Sequence, residues 1–148
     1  MANVNGVDVK VSGVEDLLRK LKSFPIKFQK NVITGAIRAG AAAITKEARR
    51  NVPRDDGYLK KSLKTIKRKT KDKSIIKFSV VPHTRTIHKV QDANGEKRYN
   101  YGGHIEFGSS KAAAHPYLRP AFESKGSEAI EIAKKYMKKR IDREVAKL

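Results

Sequence analysis

The segment from Ile26 to about Asn51 has an apolar pattern with the period of a helix. One stripe runs along it and a second stripe of mostly small residues lies beside the first. The first comprises Ile26, Ile33, Ile37, Gly40, Ile44 and Ala48, and the second Phe28, Val32, Ala36, Ala39 and Ala43. So wide an apolar face predicts a long helix packed against a sheet or other helices. Glycine inside a helix costs about 1 kcal/mol relative to alanine, so we expect close packing at Gly40.

Shorter patterns precede this helix. Residues 4–11 alternate between apolar and polar side chains and predict a short strand. Ser12 and Glu15 have the spacing of a capping box, in which two side chains satisfy free N–H groups at a helix start. A short helix should follow and end at Phe24, because the residue before Pro25 disfavours helical geometry.

The second half predicts strands and a last helix. Leu59 and Leu63 are spaced for one helical turn, residues 64–81 alternate as strands, and Asn94–Gly95 is a strong hairpin signal. Apolar residues then repeat at helical spacing over 121–148. Strands grouped between helices indicate an α+β fold: an antiparallel sheet with a long hairpin, packed against a long central helix and a C-terminal helix. We expect one domain over 1–148, with an N-terminal strand or arm at 1–12 and a basic β-hairpin region at 60–100.

The charge balance is strongly basic. The 148 residues contain 34 Lys and Arg against 15 Asp and Glu, a formal net charge of +19. Such an excess attracts polyanions, chiefly nucleic acid, an anionic membrane or an acidic protein surface. Cysteine is absent, which excludes disulfides and thiolate metal sites. The first residues lack the apolar core of a signal peptide and no apolar run approaches 18 residues, so we expect a soluble protein without a membrane contact.

Polar groups concentrate in YGGHIEFGSSKAAAHPYLRPAF, residues 101–122, which could suggest an active site. His104, Glu106 and His115 are residue types that bind zinc, but their spacing matches no known zinc motif. Asp55–Asp56 precedes Gly57 in a predicted turn, where aspartate is common, and the other acids are scattered, so a metal-dependent nuclease is disfavoured. The chain has no nucleophile motif and no phosphate-binding glycine loop. We therefore expect no catalysis and no cofactor, and we interpret 101–122 as a strand, a glycine turn, a loop and a lead into the last helix.

Residues 60–73 contain eight basic side chains and one acid, Asp72. This density could neutralise several phosphates in a sequence-independent and salt-sensitive way, although a charge run of this kind is also found on solvated hairpin tips. No aromatic residue is interleaved, so any nucleic-acid contact should be with the backbone. The residues predicted to contact a DNA channel or an acidic partner are Lys64, Lys67, Arg68, Lys69, Lys71 and Lys73.

Two groups of residues resemble the tail-completion or neck proteins of long-tailed phages, the group that includes the lambda tail protein Z. The first group follows an Ala-rich helix as Pro53, Gly57, Leu59, Lys60 and Ser62. The second comprises Glu106, Phe107, Gly108 and Ser109, then Pro116, Tyr117, Leu118, Arg119, Pro120 and Ala121. Ser109 stands where these proteins have threonine and Tyr117 where they have phenylalanine.

The resemblance implies a structural virion protein, made in the host bacterial cytoplasm, in a ring around the DNA path at the head–tail junction. Its implied partners are itself, with a hexamer favoured over a dodecamer, the other neck, connector and tail-tube proteins, and packaged DNA through non-specific contact. The motif residues Gly57, Leu59, Glu106, Phe107, Gly108, Pro116, Tyr117, Leu118, Arg119 and Pro120 would shape the subunit or its interface. Arg119 could pair with Glu106 or with a carboxylate of a neighbouring subunit. The alternative from another class is a basic protein that binds nucleic-acid backbones without sequence specificity.

Overall fold

A computed structural model describes residues 3–4, 7–8, 13–53, 57–83 and 102–147. Within these ranges the elements in chain order are β1 (Asn3–Val4), β2 (Val7–Asp8), α1 (Glu15–Lys22), α2 (Ile26–Asn51), α3 (Gly57–Ser62), β3 (Leu63–Arg68), β4 (Lys77–Pro82), α4 (Gly102–Phe107) and α5 (Leu118–Val145). β1 pairs antiparallel with β2, and β3 pairs antiparallel with β4. The fold is the mixed one expected from the sequence, with a long central helix, a C-terminal helix and an antiparallel hairpin.

The two long helices, α2 and α5, pack along one another and run antiparallel. Gly40 of α2 lies against Ala129 of α5, and a Cβ added to Gly40 would come within 2.5 Å of the Ala129 carbonyl oxygen. The close packing predicted at Gly40 is therefore confirmed. The buried side chains at one end of this helix pair are Leu21, Val32, Ala36, Met137 and Ile141.

A second buried cluster lies at the other end of the helix pair and joins α2, α3, β3 and α5. Its members are Ala48, Val52, Leu59, Leu63, Tyr117 and Ala121. The predicted turn of helix at Leu59 is confirmed as α3, and both Leu59 and Leu63 are fully buried. This cluster fixes the base of the β3–β4 hairpin against the helices.

The β3–β4 hairpin packs on α2. Strands were predicted over 64–81, and the structure forms them at Leu63–Arg68 and Lys77–Pro82, with a turn rather than a strand over 69–76. Its register pairs Leu63 with Pro82 and Arg68 with Lys77. The hydroxyl oxygens of Thr45 in α2 and Thr65 in β3 are 2.6 Å apart. The Arg49 guanidinium donates a 2.6 Å hydrogen bond to the Leu63 carbonyl. Polar contacts thus set the position of the strand along the helix.

One prediction for residues 101–122 is wrong: residues 102–107 form the helix α4 rather than a strand. Gly102 and Glu106 are buried while Gly103 and His104 between them are exposed, a four-residue period that belongs to a helix and not to a strand. Near the N-terminus, Val14 occupies the N-cap position of α1 without a capping side-chain bond. Ser12 of the expected capping box, residues 54–56 with Asp55–Asp56, and the expected hairpin at Asn94–Gly95 lie outside the described residues.

Candidate functional site

Glu106 connects α4 to the first residues of α5. One carboxylate oxygen accepts hydrogen bonds from the backbone N–H groups of Tyr117, at 2.7 Å, and Leu118, at 2.8 Å. The other oxygen accepts one from the N–H of Arg119, at 2.9 Å. The Glu106 residue is 7% exposed, so these bonds form largely away from water. We call this arrangement of Glu106 with residues 117–119 the Glu106 clasp.

The clasp satisfies the start of α5 completely. The first four N–H groups of a helix have no partner inside the helix, and here they would belong to residues 117–120. Glu106 accepts three of them, and Pro120 has no N–H to satisfy. A negative charge is also favourable at the positive end of a helix dipole. A glutamate eleven residues upstream thus acts as the cap that no side chain of the N-cap residue itself provides.

Tyr117 is the buried anchor of this segment. Its side chain is 0% exposed within the cluster of Leu59 and Leu63, and its hydroxyl donates to the Gly102 carbonyl at 3.2 Å. The Asn51 side chain donates to the Tyr117 carbonyl at 3.3 Å. The ring, the hydroxyl and the backbone carbonyl of Tyr117 together therefore join α2, α3 and α4 at the point where α5 begins.

The loop between the two helices makes a tight turn at Gly108. Its φ is +76°, and an added Cβ would lie 2.9 Å from the backbone nitrogen of Ala114. Ser109 and Ala112 then pair through backbone hydrogen bonds, and the His115 N–H donates to the Ile105 carbonyl at 2.7 Å. Residues 109–116, Pro116 among them, are exposed. Backbone hydrogen bonds on both sides therefore restrain an exposed loop.

Two motif side chains of this segment point outward. Phe107 is 75% exposed, although it is a large apolar residue. Arg119 is also exposed, and its link to Glu106 is a backbone hydrogen bond rather than the ion pair considered from the sequence. Gly57, in the other motif, begins α3 and is exposed, while Leu118 is half-buried against the cluster. The inner groups set the shape of the segment and the outer ones are accessible to a partner.

The basic residues form a separate, exposed surface on the hairpin. Lys64, Lys67 and Arg68 lie on β3, and Lys69, Lys71 and Lys73 follow in the turn; all six are exposed. The turn is held by the Thr70 hydroxyl, which contacts the Asp72 and Ile75 carbonyls at 2.8 Å each. The Asp72 carboxylate accepts a hydrogen bond from the Ser74 backbone N–H and a second one from the Ser74 hydroxyl. These bonds, the backbone one foremost, lower the pKa of Asp72 from its ordinary value of 3.8.

The histidines of residues 101–122 do not join Glu106 in a metal site. His104 and His115 are exposed, and both Glu106 oxygens accept backbone hydrogen bonds. Within the part of the chain that the structure describes, no three His, Asp or Glu side chains are grouped as a metal ion would require. Sequence reasoning missed the role of Glu106 as a cap and that of Asn51 as a partner of Tyr117. The four-residue spacing of Gly102 and Glu106 is compatible with a helical turn but does not predict a cap.

A family model described as "Bacteriophage HK97-gp10, putative tail-component" matches residues 15–108 of the 148, more than half of the chain. The match includes α1 to α4 and ends at Gly108, so it contains the hairpin and Glu106 but not the start of α5. Comparisons with curated proteins and with solved structures give no match. None of the described helices has the length and hydropathy needed to cross a membrane.

Proposed function

The chain belongs to the HK97 gp10-like family of bacteriophage tail components, and we propose that it is a structural subunit of the ring at the head–tail junction. It acts there by assembly and not by catalysis, around the path of the DNA. Its partners are copies of itself, six in preference to twelve, together with connector and tail-tube proteins. Its place is the virion, after synthesis in the host bacterial cytoplasm.

The observation that carries this proposal is the use of the polar groups in residues 102–119. The Glu106 carboxylate is used inside the chain, where it holds the start of α5, and the Tyr117 carbonyl accepts a hydrogen bond from Asn51 of α2. What this segment presents outward is an exposed aromatic ring, Phe107 at the end of α4, followed by a loop that backbone hydrogen bonds restrain. Exposed aromatic anchors on a fixed backbone are typical of protein interfaces, since little conformational entropy is lost when they bind.

A ring also suits the distribution of charge. Of the ten acidic side chains within 13–53, 57–83 and 102–147, five pair with a basic residue three positions away. Glu106 and Asp72 accept backbone hydrogen bonds. Within these ranges, three acids are therefore left to neutralise the basic surface of a second copy: Glu15, Glu123 and Asp142. Contacts between copies should therefore depend on apolar groups such as Phe107 rather than on the basic hairpins.

The test is the mass and shape of the isolated full chain in the absence of nucleic acid, by mass photometry and negative-stain imaging. We expect concentration-dependent oligomers and ring-shaped particles. Phe107→Ser should reduce ring formation, while Ile26→Ser should not; Ile26 is 69% exposed and serves as the matched control. A chain that stays monomeric at all concentrations until DNA is added would contradict the ring proposal and favour the nucleic-acid-binding alternative.

A further inference from the structure

The hairpin segment 60–77 contains nine basic residues and one acid, Asp72. The acid already accepts the Ser74 N–H at 2.8 Å. The five ion pairs among the described residues lie on α1, α2, α5 and just beyond the end of α5, and none includes a basic residue of this segment. The hairpin charges are therefore without internal counter-charges in the described part of the chain.

The strand register makes this charge self-repelling. Arg68 on β3 lies directly opposite Lys77 on β4, and both are exposed. Like charges at directly opposite positions destabilise a strand pair. On the same face of β3, two and four residues before Arg68, are Ile66 and Lys64. A ligand with several negative charges along its length would relieve the repulsion between Arg68 and Lys77 and would also neutralise the other exposed lysines of the hairpin.

The types of basic residue in the hairpin favour a nucleic acid over an acidic protein surface as its partner. Eight basic residues are exposed from Lys61 to Lys77. Seven of them are lysines, and the eighth is Arg68. Lysine is depleted in protein–protein interfaces, whereas its point charge on a flexible stem suits phosphate. The exposed residues of the hairpin include no aromatic ring, so stacking on unpaired bases has no platform there.

We propose that the β3–β4 hairpin, with its turn at residues 69–76, binds the phosphate backbone of duplex DNA without base specificity. This inference names a partner for one surface of the proposed neck component and rests on that function for its biological place. The binding itself can be measured on the isolated chain.

The test compares two variants that each lose three lysines and one arginine, all exposed. The hairpin variant is Lys67→Gln, Arg68→Gln, Lys69→Gln and Lys71→Gln, and the control on α5 is Lys135→Gln, Lys138→Gln, Lys139→Gln and Arg143→Gln. Each lowers the formal net charge from +19 to +15, so a difference between them cannot arise from net charge. Circular dichroism and thermal unfolding first establish that both variants are folded.

Fluorescence anisotropy with a labelled 30-base-pair duplex then gives the affinity between 50 and 200 mM NaCl. Each phosphate contact contributes a slope of about −0.9 to the dependence of log K on log salt. If all four side chains contact phosphate, the hairpin variant should have a slope about 3.6 smaller in magnitude. Over this salt range the wild type should then lose affinity on the order of 100-fold more than the hairpin variant. The slope measured for the α5 control should differ from the wild-type slope by no more than about 0.9, the contribution of one phosphate contact.

Three outcomes would overturn the proposal. Equal losses in both variants would indicate attraction to net charge alone. Unchanged affinity with increased aggregation would mean that the lysines only prevent pairing at open strand edges. Equally tight binding of a poly-glutamate peptide, lost in the hairpin variant, would identify an acidic-protein surface. Mass photometry of the same samples separates this inference from the ring proposal, since a chain that binds DNA through the hairpin without forming rings contradicts only the latter.

Discussion

Replacement of Glu106 by glutamine tests whether the clasp holds the C-terminal helix in place. The carboxylate accepts three N–H groups, from Tyr117, Leu118 and Arg119. Glutamine has the same shape but only one accepting oxygen, and its NH₂ group would face an N–H donor. At least one donor at the start of α5 should therefore lose its partner.

The expected cost follows from these contacts. A buried donor left without a partner costs about 1–3 kcal/mol. Loss of the negative charge beside the helix N-terminus costs a further 0.3–1 kcal/mol, or up to about 2 kcal/mol in partly buried geometry. We therefore expect Glu106→Gln to lower the free energy of unfolding by about 2–4 kcal/mol, and Glu106→Ala by more, because all three N–H groups then lose their acceptor.

Chemical denaturation followed by circular dichroism measures this difference, and thermal unfolding should shift by about 2–4 °C for each kcal/mol. Glu123→Gln is the matched control, because Glu123 is an exposed glutamate on α5 and should change stability by less than about 0.5 kcal/mol. If Glu106→Gln behaved like this control, the clasp would not stabilise the helix and our account of residues 102–119 would be incorrect.

Two further predictions concern the helix pair and the hairpin turn. Gly40→Ala should lower the free energy of unfolding by about 1–2 kcal/mol despite the better helix propensity of alanine, because the new Cβ would meet the Ala129 carbonyl oxygen at 2.5 Å. Gly126→Ala, where a Cβ meets nothing within 4 Å, should raise the free energy of unfolding by up to about 1 kcal/mol. Denaturant unfolding that ranked the two variants the other way would contradict the packing described. Because the pKa of Asp72 is lowered, the contribution of its carboxylate to the order of the turn is present above pH 3.8 and is lost as the pH falls below that value. The NMR signal of the Ser74 amide proton should therefore titrate in this acid range. It should no longer titrate in Asp72→Asn.

The parts of the fold that the sequence predicted are those with a long repeating pattern. The stripe from Ile26 to Ala48 covers several helical turns, so α2 followed from periodicity alone. Its burial followed only in part, since Gly40 and Ala48 are buried but Ile26 is 69% exposed. The strands of the hairpin were evident from alternation. By contrast, α4 has six residues, which is too short for a period to be distinguished, and its Gly102 packs closely against Tyr117 and the Pro82 ring.

The candidate site was predicted in its residues but not in its contacts. The motif around Glu106 and Arg119 was identified by order and spacing, and an ion pair between the two side chains was considered. The structure instead uses the carboxylate on backbone N–H groups, which have no sequence signature because every residue except proline has one. A cap eleven residues from its helix depends on the path of the intervening loop, which local propensities do not determine.

The clasp and the basic hairpin are physically connected through the base of the hairpin. Leu63, the first residue of β3, lies in the same buried cluster as Tyr117, and a Cβ added to Gly102 of α4 would meet both the Pro82 ring, at 2.7 Å, and the Tyr117 hydroxyl, at 2.8 Å. The direction in which the hairpin projects is therefore set by the packing that Glu106 supports. The hairpin should depend on the clasp, but the clasp should not depend on the hairpin charges. Glu106→Gln should therefore increase hydrogen exchange along β3 and β4 as well as at the start of α5. Replacing the exposed charges of the turn should leave exchange in the clasp unchanged, because those side chains are exposed and do not belong to the buried cluster.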